Sequence, residues 1–175
     1  MVLFGKKKLS EIEVAGQFVL MVFKGVQQQW PKIANDLKSM FQEENFLTDN
    51  QYDSYEFALA VIATQIQALP NLLPSEQANR IREYIMQGIS SPDLEGYPRE
   101  AIQEYQNAWD QSIQQVEPPY SISSILFDKL ECQSTIEVGG EKFKNPVLLM
   151  ALFEKIVTFG GPWWKNIIKE YELFP

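Results

Sequence analysis

Apolar and polar positions follow a helical period along most of the chain. From Thr48 to Leu69, TDNQYDSYEFALAVIATQIQAL, the residues Tyr52, Tyr55, Leu59, Ile62, Ile66 and Leu69 recur three and four apart, one stripe of a helix. Phe57, Val61 and Ala68 lie off that stripe, and no charged residue follows Glu56 until Glu76. A helix apolar on several sides needs cover on several sides. The pattern therefore predicts a central helix over 48–69, wrapped by others.

Local punctuation divides the rest. Ser10 and Glu13 form a capping box, with Ile12, Ala15, Val19, Val22 and Val26 in a stripe behind it. The residue before a proline avoids the α region, so this helix is expected to stop or kink near Trp30–Pro31. A second helix follows over 32–44, with Ile33, Leu37, Met40 and Phe41 inward. Thr48 and Gln51 cap the central helix, and Pro70 and Pro74 close it. Ser75 and Gly88 bound a shorter helix, and the turn-rich stretch 89–97 predicts a long loop. Pro98 opens a helix with Ile102, Tyr105, Trp109, Ile113 and Val116 on one face, stopped by Pro118–Pro119, and 121–132 reads as another.

Within 135–144, Gly139–Gly140 predicts the turn of a β-hairpin pairing Glu137 with Lys142 and Ile136 with Phe143. A lone hairpin is marginal in water, so this one is expected to lie on the helical core. Asn145 caps the next helix, Gly160–Gly161 ends it, and Pro162 restarts a last one carrying Trp163 and Trp164. The expected fold is all-α: one domain over 1–175, a bundle of about six to eight helices around the central one, with the small hairpin. No repeat or linker divides it.

Composition narrows the chemistry. The chain has 175 residues, 45% of them hydrophobic, enough for a core without metal or disulfide staples. It contains no histidine, which removes the commonest general base, metal ligand and pH switch. The lone Cys132 allows neither an internal disulfide nor a cysteine zinc site, which fits a reducing, cytoplasmic location. Glu11 and Glu13 separate the basic start from the apolar run after it, so no secretory leader is expected, and that run is too short to span a bilayer. Residues 1–8 read as a flexible basic terminus.

Formal charge is −8. No Lys or Arg occurs between Lys38 and Arg80, or between Arg99 and Lys129, although acidic residues fall in both stretches. Such a surface repels nucleic acid and attracts basic proteins. Glu43, Glu44, Asp49, Asp53 and Glu56 form the densest acidic group, and Trp163–Trp164 offers an aromatic anchor, one ring expected in the core and one at its margin. The preferred function is a non-enzymatic interaction domain that uses these residues to bind a basic protein partner, with no cofactor. The alternative is a Mg²⁺-dependent phosphohydrolase, with Asp49, Asp53 and Glu56 as metal ligands on one helical face. No serine-nucleophile elbow or phosphate loop is present.

Overall fold

The apolar stretch after Glu56 folds as expected. In the computed structural model, which describes residues 6–41, 51–89, 97–114 and 120–175, helix α2 spans Gln51–Ala68. Every residue from Phe57 to Ala63 is buried, so α2 presents no solvent face along nearly two turns. It packs against α1 (Glu11–Phe41), α4 (Tyr97–Gln114), α5 (Ser121–Lys129) and α6 (Pro146–Glu170). Helix α3 (Ser75–Gly88) lies mainly on α1, after a short 3-10 turn at Leu69–Asn71. The architecture is an all-α bundle with a small hairpin. Among the described residues no helix is long and apolar enough to cross a membrane.

The start of α1 is the predicted capping box. The Ser10 amide donates to Glu13 Oε2 at 3.0 Å, and the Glu13 amide donates to Ser10 Oγ at 3.3 Å. Of the stop or kink expected at Trp30–Pro31, the stop does not occur: α1 runs through Pro31 as one helix, and no second helix begins at Lys32. An interior proline costs about 3 kcal/mol. The stripe Val26, Trp30, Ile33, Leu37 is buried continuously across it, and each such side chain contributes about 1.5–3 kcal/mol, so packing outweighs the break. The same correction holds for Gly160–Gly161 and Pro162, which lie inside α6. Leu148, Leu152, Ile156, Gly160 and Trp164, all four apart, form one buried line through that site. Ser75 does not cap; it is the first residue of α3, after Pro74. The Thr48 cap and the loop residues 90–96 lie outside the described residues.

Helix α5 stops before the predicted Cys132. Glu131 takes φ 52°, and the amides of Glu131 and Cys132 donate to the carbonyls of Asp128 and Phe127, both at 3.0 Å. This is a Schellman closure with a non-glycine residue in its left-handed position.

Strands β2 (Thr135–Val138) and β3 (Glu141–Lys144) pair in the predicted register, Ile136 with Phe143 and Glu137 with Lys142. Gly139 and Gly140 take φ 64° and 87°, as a two-residue turn of this hand requires. The hairpin does not lie on the core, however: Ile136, Val138 and Phe143 are exposed. Polar ties at its base hold it instead. Lys144 Nζ donates to the Ser124 carbonyl at 3.0 Å and to Ser124 Oγ at 2.8 Å, and the Asn145 amide donates to the Ser134 carbonyl at 3.0 Å.

Lys7 and Lys8, expected in a flexible terminus, belong to strand β1 (Lys7–Ser10). It pairs in parallel with β4 (Tyr171–Phe174), Lys7 opposite Tyr171 and Ser10 opposite Phe174.

Candidate functional site

Helix α2 carries the first of two candidate sites. Asp53 and Glu56, three apart, were expected on a solvated acidic face. Both are buried, Glu56 completely. The Tyr97 and Tyr105 hydroxyls donate to its carboxylate, the latter at 3.4 Å, and Lys129 Nζ stands 3.9 Å away. Lys129 also pairs with Glu104 at 3.1 Å and lies over the Tyr97 ring, 5.4 Å from its centroid. The Tyr52 and Tyr97 hydroxyls are 3.4 Å apart. Helices α2, α4 and α5 thus converge on one buried carboxylate, which is tolerated because donors and a cation satisfy it. Burial, reinforced by hydrogen bonding to Glu56, pushes the Tyr97 phenol far above the ordinary tyrosine range. Burial and the Glu56 charge do the same to Tyr105. Both phenols donate to the Glu56 carboxylate, which is thereby occupied by the protein's own donors.

The predicted site residues therefore separate. Glu43, Glu44 and Asp49 lie outside the described residues. Asp53 and Glu56 face inward, which corrects their assignment to a contact surface and turns Glu56 away from the proposed Mg²⁺ role. Among the described residues no group of three His, Cys, Asp or Glu side chains is placed to hold a metal ion. Trp164 is fully buried and Trp163 half-buried, as their 100° separation predicted. Their rings pack on Phe18 with centroids 5.0 and 5.4 Å away, so Trp164 is core and not a partner anchor. What remains outside is the polar face of α4, where Glu100, Glu104 and Asp110 are exposed.

The second candidate begins where that face ends. An open groove of about 1080 Å³ runs between the C-terminal halves of α2 and α4 and the body of α6. Trp109 and Phe153 line it, their centroids 6.3 Å apart, with Asp110 on the α4 wall and Lys165 on the α6 wall. Gln67 Nε2 donates to Asp110 Oδ1 at 3.3 Å. Apolar concavity with a few placed polar groups is the usual form of a binding site. Comparison with known protein families, with curated proteins and with solved structures finds no match. The two sites stand on their geometry.

Sequence reasoning placed Tyr105 on a core stripe without asking where its hydroxyl goes. Buried phenols need a partner, and Glu56, at the edge of the longest uncharged run, needed one too. Those two unmet demands are the signal that could have joined them. Nothing in the pattern marked the groove.

Proposed function

We propose that this protein is a non-catalytic interaction module that binds a basic protein partner through the acidic face of α4 and the adjoining groove. The observation that carries the reading is the exposure of Glu100, Glu104 and Asp110 on one helix, in a chain of charge −8 with no Lys or Arg between Arg99 and Lys129. Lys129 offsets part of the Glu104 charge. Exposed charges of this kind mainly raise association rate and partner discrimination. The absence of histidine and the enclosure of Glu56 support the non-catalytic reading.

Affinity capture from cells of the source, across a salt series, tests this. A basic protein should be held at low ionic strength and released as salt shortens the screening length to about 3–8 Å. The double reversal Glu100→Lys with Asp110→Lys should abolish its capture. A partner indifferent to salt and to both reversals would overturn the proposal.

A further inference from the structure

The floor of the groove carries polar groups that the fold itself leaves unused. Gln65 lines it and is only 4% exposed, yet among the described residues its side-chain amide makes no hydrogen bond. The fully enclosed unpaired side-chain atoms among the described residues are Gln106 Nε2, Ser121 Oγ and Trp164 Nε1, so the Gln65 amide opens onto the groove and is not sealed in the core. The surrounding structure makes room for it: a Cβ on Gly160 would lie 2.9 Å from Gln65 Cγ and 3.3 Å from its Nε2. Beside it, Pro162 lies within α6 and supplies no N–H to the Thr158 carbonyl, and both residues line the groove. The floor therefore combines a primary amide, both donor and acceptor, with a main-chain acceptor that has lost its helical donor. Trp109 and Phe153 lie alongside as apolar walls.

From this arrangement, which rests on the interaction reading above, we infer that the groove binds an extended, apolar peptide segment of the partner, with Gln65 pairing to its main chain and a flanking Lys or Arg facing Asp110. A side-chain amide matches the N–H and C=O of a peptide group, and an extended segment offers both unpaired. A helical segment has already satisfied them internally and gains nothing from Gln65 or Thr158. Apolar side chains of the segment cover the two aromatic rings. The basic flank belongs on the α4 wall, where Asp110 accepts only from the neutral Gln67 amide, because Lys165 on the α6 wall repels it there.

Display of random dodecamer peptides against the whole chain tests the inference. Enriched sequences should alternate apolar residues with a period of two beside a Lys or Arg. Synthetic peptides from the selection should shift the NMR signals of the Gln65 side-chain amide and the Trp109 indole. Gln65→Leu should weaken them about fivefold to tenfold, as the loss of one or two hydrogen bonds does, and methylation of the paired main-chain nitrogen should do the same. Enrichment with a period of three to four, or peptides bound equally by wild type and Gln65→Leu, would overturn it. So would a selection whose peptides leave both signals unmoved. Salt-dependent capture of a basic protein that survives Gln65→Leu and Trp109→Ala would sink the groove and leave the acidic-face reading standing. Reversal of Glu100 and Glu104, which lie on the acidic face and outside the groove lining, should abolish capture and leave peptide binding intact, whereas Asp110→Lys should weaken both.

Discussion

Arg80 grips Glu11 through two parallel hydrogen bonds, Nε to Oε2 at 2.8 Å and Nη2 to Oε1 at 2.9 Å, across 69 residues of sequence. Gln77 adds a third donor at 2.9 Å and also reaches the Leu173 carbonyl at 3.4 Å. The carboxylate has no exposed surface, so its charge is met entirely by these side chains. Glu11→Ala should cost about 2–3 kcal/mol in urea unfolding, the ordinary loss for a buried, hydrogen-bonded charge.

The same contact gives an acid dependence. Hydrogen bonding from Arg80 lowers the Glu11 carboxyl below its ordinary 4.5, against the opposing effect of burial. A lowered folded-state value means that the stabilisation is complete above the unfolded value and is lost as pH falls through the folded one. Thermal unfolding from pH 6 to pH 3 should show this loss, and Glu11→Gln should flatten it.

At Glu56 the dependence lies at the alkaline end. Tyr97 and Tyr105 hold their protons above the ordinary value of 10, chiefly through burial. A raised folded-state value contributes stability that is complete below the unfolded value and lost as pH rises past it. Tyr97→Phe and Tyr105→Phe should each remove amplitude only from the late, alkaline part of the tyrosinate absorbance titration. Glu56→Ala should destabilise by about 3 kcal/mol and Tyr97→Phe by about 1 kcal/mol. Combining them should cost less than their sum, because they share one interaction.

Gly160 and Gln65 should couple strongly. Glycine to alanine inside a helix ordinarily gains about 1 kcal/mol. Here the added methyl meets Gln65 Cγ at 2.9 Å, so Gly160→Ala in the wild type should instead lose about 1–2 kcal/mol. In a Gln65→Ala background the sign should reverse. A chemical-denaturation double-mutant cycle reads the difference.

Glu131 occupies a left-handed position that glycine fills without strain. Glu131→Gly should therefore stabilise the chain by about 0.5–1 kcal/mol, measured as a higher urea midpoint at unchanged slope.

Periodicity carried most of the architecture. The helix over Phe57–Leu69 and the hairpin register followed from stripes, caps and a two-glycine turn. The two proline boundaries failed because a local rule was set above a longer pattern: 26, 30, 33 and 37 keep helical spacing across Pro31, as 148 to 164 do across Pro162. Glu56 was misplaced for another reason. Its partners Tyr97, Tyr105 and Lys129 arrive from other helices, and no spacing along α2 reveals them. The groove arises from the junction of three helices, and the parallel β1–β4 pair joins segments from the two ends of the described chain; single-chain pattern reading sees neither.

That parallel pair also decides how the molecule bears mechanical load. Strand β1 enters at Lys7 and β4 leaves at Phe174, so a pull on the two ends drags the strands past one another lengthwise. The bonds of the seam are then strained together and not unzipped in turn. Behind the seam, the Arg80 grip on Glu11 anchors the first turn of α1. Under tension this short ribbon is the latch that must slip before the helices unravel.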